Sequence, residues 1–377
     1  MLHQDKRGLA AGSPVAAENI RYLVLTLDYE IFGYGQGDVR EHVVNPTSRM
    51  ARLCEKFGVP LTVFLEVEEY LAFERHHREL EQALGCNPAA LIREQIRSLA
   101  RGGHDIQLHV HPQWFGAHYK AGRWNLQWER SAVDDLFATE EEVTRYIGER
   151  KAVIEEMVEG LAPGRSVTVF RAGAFNAQPG QKLIKALETN GFVIDSSVVK
   201  GLHCHNPQQH LDYRHAPPAK GRWRITSDVA VEDPEGSVWE IPIYSVMRRR
   251  LHQATPRRLL AKFSKSVPRE QQKGLMSEHG LGANPLQFAK FLWQRVPVKL
   301  DYDNLSPAKL LQWIRLAPAS QDGLPDVVVL VGHTKEHRDD RSFERLLQLV
   351  TADPHLKVVT FDFVANSLAA RPLVRQG

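Results

Sequence analysis

The run Tyr22 to Leu27, YLVLTL, is apolar and β-rich throughout and stops at an acidic residue, Asp28. A strand that lacks a polar face is buried on both sides, which belongs to a parallel sheet covered by helices. The residues that follow supply those helices. Met50, Leu53, Cys54 and Phe57 stand at helical spacing between Pro46 and the stop signal Gly58. "VPLTVFLEV" reads as a second strand, a helix from about Pro88 ends at Gly102 and Gly103, and "DIQLHVH" is a third strand. Strand, helix, strand, helix, strand in this order implies parallel strands joined by crossover helices.

The alternation continues after a looser aromatic stretch at 112–138. "TEEEVTRYIGERKAVIEEMVEGL" predicts a long helix opened by a capping box between Thr139 and Glu142. The strands "SVTVFRAGAF", "FVIDSSVV", "GSVWEIPIY", "DVVVLVGHTKE" and "LKVVTFDF" are then interleaved with the helices "GQKLIKALETNG", "SPAKLLQWIRLA" and Ser342–Val350. Residues 1–18, polar and small, read as a mobile tail.

Composition narrows the function classes. A net charge of +3 is too small to argue for nucleic acid, and no stretch approaches the roughly 20 apolar residues of a membrane-spanning helix. The N-terminus lacks a signal peptide's apolar core, and Cys54, Cys86 and Cys204 form no C-x-x-C pair. The chain therefore reads as a cytoplasmic protein of a reducing compartment.

In parallel α/β folds the chemistry gathers at the carboxyl ends of the strands, where the loops converge. Four strand ends here carry the residue types of a metal hydrolase: Asp28 and Glu30, His109 and His111, Arg171, and His333. Residues two apart on an extended segment point to one side, so Asp28 and Glu30 face together, as do His109 and His111. One carboxylate with two imidazoles is a common ligand set for catalytic zinc, and leaves the other carboxylate free to act as a base.

These motifs resemble the polysaccharide deacetylases, the NodB-homology carbohydrate esterases, and the likeness runs from about residue 20 to 365. It implies a distorted (β/α) barrel of parallel strands as a single domain over 19–377, with insertions at about 112–165, 203–235 and 247–300. By the same resemblance "LDYE" makes Asp28 the base and Glu30 a metal ligand, and "GGHDIQLH" makes His109 a ligand and His104 a lead-in residue. The family's second histidine falls four residues after the first, where this chain has Gln113; His111, two after, is expected to take its place. "FRAGAF" implies that Arg171 orients Asp28, "LVGH" that His333 is the general acid, and "GFVIDSSV" that Asp195 tunes that histidine.

The implied reaction is metal-assisted hydrolysis of an amide or ester, with one divalent metal, zinc first and Co, Ni, Mn or Fe compatible. The substrate expected is an acetylated carbohydrate or glycolipid; the alternatives are a small non-sugar amide and a catalytically inactive glycan-binding barrel. Trp114, Phe115, Tyr119, Trp124 and Trp128 serve either as sugar-stacking platforms or as packing for the insertion. His203, Cys204, His205 and His210 cluster without paired thiol spacing, which argues against structural zinc. Between Met247 and Leu300 there are 12 Lys and Arg against two Glu, with apolar residues at helical spacing in "RRLLAKFSKSV" and "FAKFLWQRV". Such a segment suits a solvated face, peripheral contact with an anionic membrane surface, or docking of a lipid-linked or polyanionic glycan.

Overall fold

The computed structural model describes residues 20–162, 164–206, 209–253, 292–319 and 324–369. The predicted tail at 1–18 and the run at 257–267 lie outside the described residues, as does the first part of 288–296.

The barrel strands are β1 (Arg21–Tyr29), β2 (Thr62–Glu66), β3 (Asp105–Val110), β4 (Val169–Ala172), β5 (Ile194–Asp195), β6 (Val238–Glu240) and β7 (Asp326–His333), with β8 (Leu356–Val359) beside the start of β1. The order across the sheet is β6, β5, β4, β3, β2, β1, β7, all parallel. A short strand at Trp223–Ile225 adds to β6 in the antiparallel sense. The sheet curls until its ends nearly meet: Ile243, just past β6, makes single parallel bridges to Val199 and to Val329 of β7. The ring is thus closed by isolated bridges rather than by a full ladder, which makes it a distorted barrel.

Period-two alternation sorts the side chains into two cores. Leu23, Leu25 and Leu27 of β1 join the outer core under the helices, whereas Val24, Phe64, Val169, Ile194, Ile243, Val329 and Val331 fill the interior. Thr26 and Asp28 follow Val24 by two and four residues, so the alternation that puts Val24 inside carries Asp28 to the interior at the carboxyl end.

The helices are α1 (Asn45–Phe57), α2 (Val67–Arg75), α3 (Pro88–Arg101), α4 (Glu140–Val158), α5 (Gln181–Thr189), α6 (Pro307–Leu316), α7 (Asp340–Thr351) and α8 (Phe361–Ala369). Their ends follow capping chemistry. Gly58 closes α1 at φ 63°, Asn87 accepts from Ala90 N–H at the start of α3, and Thr139 and Glu142 form the expected capping box.

Three local readings change. "VPLTVFLEV" does not run on as strand: Glu66 becomes the N-cap of α2, accepting from the Glu69 N–H, and Val67 begins the helix. "LKVVTFDF" splits at Thr360, and α8 turns Phe361, Val364 and Ala365 into the interior core. Arg295–Lys299 forms a strand paired with Ser245–Arg249, so "FAKFLWQRV" does not continue as a helix to its end and the two ends of the 247–300 segment form a two-stranded stem. Among the described residues, no helix is long and apolar enough to cross a membrane.

Candidate metal and acid–base site

Strand register assembles the site. Asp28 on β1 is the lateral partner of His333 on β7, and His109 on β3 is the partner of both Glu66 on β2 and Arg171 on β4. Glu30 and His111 lie one residue beyond their strands, two residues on from Asp28 and His109.

Glu30, His109 and His111 come together, each buried, with ligand atoms within 4.8 Å of one another. Glu30 Oε2 lies 2.6 Å from His111 Nε2 and 3.7 Å from His109 Nε2. His109 Nδ1 lies 2.9 Å from the Arg171 carbonyl, to which it donates, so its Nε2 lone pair is left facing Glu30. His111 Nδ1 is 2.9 Å from the Gln113 side-chain amide, and His111 Nε2, though close to Glu30, is buried without a hydrogen bond. Two imidazoles whose Nε2 atoms converge on one oxygen of a buried carboxylate fit a divalent metal.

Charge is distributed to suit. Burial opposes the charge on Glu30, yet Lys335 and the two imidazoles outweigh it and hold the carboxyl well below the usual range. Lys335 Nζ donates to Glu30 Oε1 at 2.6 Å, leaving Oε2 for the histidine side. For His111 burial is the larger influence and pushes its pKa down, which favours the neutral, ligating form.

The second half of the site is Asp28, whose Oδ1 accepts from Arg171 Nη1 at 2.6 Å and whose Oδ2 lies 3.5 Å from His333 Nε2. Arg171 is fully buried, donates also to Thr26 Oγ1 and the Ser196 carbonyl, and stacks 4.0 Å over the Phe64 ring. Burial raises the pKa of Asp28, but Arg171 and the nearby histidines prevail and keep it below its ordinary value. A carboxylate favoured in its ionised form, fixed by a guanidinium and facing an imidazole, is suited to acid–base chemistry beside the candidate metal triad.

One expectation fails, and for Trp114 one of two alternatives is decided. Asp195 is not a partner of His333: it accepts from the Ser197 hydroxyl at 2.6 Å and faces Glu240, its register partner on β6, on the side of the sheet opposite interior Ile194. The carboxylates gathered with His333 are Asp301 and Glu336. Trp114 is no open platform, being 1% exposed and packed edge-on against Phe73 and Trp124 in the outer core. His104 stands apart from the cluster as a buried acceptor for the Leu61 N–H, its pKa pushed down to about 4 mainly by burial. His203, Cys204, His205 and His210 lie on a small hairpin and form none of the metal-ligating groups found among the described residues.

Some of the site was not anticipated. Glu66 accepts from His111 N–H at 2.8 Å, and Glu69 accepts from Ile31 N–H at 3.0 Å, so two buried carboxylates brace the loops that carry the ligands. Lys335 follows His333 by two, the same spacing as the acid pair and the histidine pair, and that repetition was the available signal. Gly173 packs so tightly that a Cβ there would sit 2.5 Å from His111 Cγ.

No protein-family model and no curated protein matches the chain. Among solved structures, it is similar to a Mycobacterium smegmatis protein assigned as a polysaccharide deacetylase, at 16% identity over 97% of this chain and 96% of the other, with a TM-score of 0.46. It is similar to the allantoinase Puue at 12% identity, over 95% and 93% of the two chains, with a TM-score of 0.46. A 4-alpha-glucanotransferase from Thermococcus litoralis is similar at 10% identity over 94% of this chain and 41% of that one, with a TM-score of 0.48.

Proposed function

We propose that this chain is a metal-dependent hydrolase that removes an N-acetyl group from an amino sugar in a glycan or glycolipid precursor. The observation that carries the reading is the meeting of the Glu30, His109 and His111 triad with a separate carboxylate, Asp28, fixed by Arg171 and facing His333. A divalent ion held by the triad, zinc first and Co, Ni, Mn or Fe compatible with the donors, supplies Lewis-acid polarisation of the carbonyl and a water of lowered pKa. Asp28 takes the proton of the attacking water, and Arg171 keeps it anionic and aimed. His333 delivers a proton to the leaving nitrogen as the C–N bond breaks. Burial of all six groups excludes bulk water and strengthens these interactions.

The sugar is supported by the resemblance of the strand-end motifs. The burial of Trp114 favours a second reading, hydrolysis of a small non-sugar amide, because it removes one sequence-predicted stacking surface. The basic stem, with Arg248, Arg249, Arg295 and Lys299, suits peripheral contact with an anionic membrane, testable by vesicle sedimentation.

Elemental analysis after dialysis, beside the His109→Ala, His111→Ala double variant, tests the centre. One divalent metal per chain in the wild type and none in the variant is expected. N-acetylated amino sugars and small amides are then compared as substrates, with Asp28→Asn losing turnover while retaining metal; no metal in either protein overturns the hydrolase reading.

A further inference from the structure

A second cluster adjoins the first. Asp301, His333 and Glu336 each offer a ligand atom, all within 4.8 Å of one another. The cluster is built rather than incidental. Asp301 is buried, and its Oδ1 accepts from the backbone N–H groups of Asp303 at 3.0 Å and Asn304 at 3.1 Å, which locks the carboxylate and leaves Oδ2 for the cluster. Asp303 is committed elsewhere, accepting from His333 N–H and pairing with His337 Nδ1 at 2.9 Å each. His333 is buried, and its Nδ1 has no hydrogen-bond partner. A buried nitrogen left without a partner costs free energy that a cation within reach of the ring would recover.

Asn304 supplies the remaining piece. Its Nδ2 donates to Asp301 Oδ2 at 2.9 Å and to Glu336 Oε2 at 2.8 Å, so one side-chain amide bridges the two carboxylates. Half a turn about its terminal torsion exchanges that NH2 for the amide oxygen, a neutral metal ligand. Lys299 Nζ, 3.8 Å from Asp301 Oδ2, is the counter-cation that a metal would displace.

We propose that Asp301, His333 and Glu336, with the side-chain amide of Asn304, form a second divalent-cation site whose occupation shuts down the hydrolysis at the first. Three oxygens and one imidazole suit Mn2+ or Zn2+. The displaced Lys299 and the exposed Glu336 make this the weaker of the two sites. Inhibition rests on the functional reading above: a cation on one ring nitrogen bars the second proton, so His333 cannot become the imidazolium that a general acid requires. The cation site itself does not depend on that reading.

Equilibrium dialysis of the intact protein against Mn2+ and Zn2+ tests it. Wild type should take up two ions, the second at least tenfold more weakly. The His109→Ala, His111→Ala variant should retain only the weaker one, and adding Glu336→Gln should abolish it. Asn304→Asp, which puts a carboxylate oxygen where the amide oxygen would rotate, should tighten the weak site at least tenfold. Absence of binding to the folded double variant up to millimolar metal, or binding indifferent to both Glu336→Gln and Asn304→Asp, overturns the proposal. With an active substrate, the rate should rise with the first equivalent and fall with the second, and Glu336→Gln should shift the falling limb to higher metal. A weak site that responds to these variants in a protein with no hydrolytic activity would leave the cation site standing and remove only the functional reading.

Discussion

Arg171 Nη1 and Asp28 Oδ1 stand 2.6 Å apart with both side chains removed from solvent, one from β4 and the other from β1, strands separated in the sheet by β2 and β3. The pair spans the barrel interior and ties Asp28 to a strand that is not its neighbour. Arg171→Met leaves a buried carboxylate uncompensated and should cost about 3–5 kcal/mol in urea unfolding. Adding Asp28→Asn should recover much of that loss without restoring turnover. Equal stability of the two variants would show that the pair does not behave as a buried ion pair.

Gly173 abuts His111, and a Cβ would lie 2.5 Å from His111 Cγ and 2.7 Å from the Val110 carbonyl. Neither the backbone oxygen nor a ring held by Gln113 can yield cheaply. Gly173→Ala should therefore weaken metal binding at Glu30, His109 and His111 by tenfold or more while the circular dichroism spectrum is kept. Unchanged affinity would mean that the loop relaxes without moving the ligand.

Lys335 neutralises Glu30 through a 2.6 Å contact. In Lys335→Met the metal-free protein holds a buried carboxylate that has lost its ammonium partner, so its melting temperature should fall. The metal should bind more tightly, because a repelling cation has gone, and its addition should restore the melting temperature. Weaker binding in this variant would instead make Lys335 a support that the ligand carboxylate requires.

Asp195 and Glu240 face each other on β5 and β6, and Asp195 Oδ2 and Glu240 Oε2 are buried without a hydrogen-bond partner. Burial raises both, Asp195 to about 6 and Glu240 well above its ordinary value, with Asp195 adding to the effect on Glu240. An acid whose pKa is higher folded than unfolded binds more protons in the folded state. Stability should thus fall as pH rises from the unfolded value near 4 towards 6 and beyond. Glu240→Gln supplies a permanent donor to Asp195 and should flatten that slope, as read from melting temperatures between pH 4 and 8. A slope unaltered by this variant would exclude the pair as its source.

The strand ends were legible because a buried parallel strand advertises itself locally. Tyr22 to Leu27 and Val327 to Val331 admit no polar face, so the first polar residue after each marks a mouth of the barrel. The spacing of two that pairs Asp28 with Glu30 and His109 with His111 needs no tertiary information, and the structure brings those residues together. The start of α2 at Val67 was hidden because its N-cap, Glu66, is also the last residue of a strand. The split in "LKVVTFDF" was hidden because a short apolar run suits a strand and a buried helix turn equally.

The sequence by itself determined which residues reach the mouth of the barrel, since alternation and strand ends are properties of a few consecutive positions. Only the tertiary structure decided which of them touch. Asp195 faces Glu240, 45 positions away, because β5 and β6 are adjacent in the curled sheet, and that adjacency leaves His333 to Asp301 and Glu336. Trp114 lies four residues past the end of the β3 strand that brings His109 to the site, but it turns into the outer core against Phe73 and Trp124, where burying an indole away from water outweighs leaving it at the rim. Contacts of this kind depend on how distant segments pack together, which no local spacing encodes.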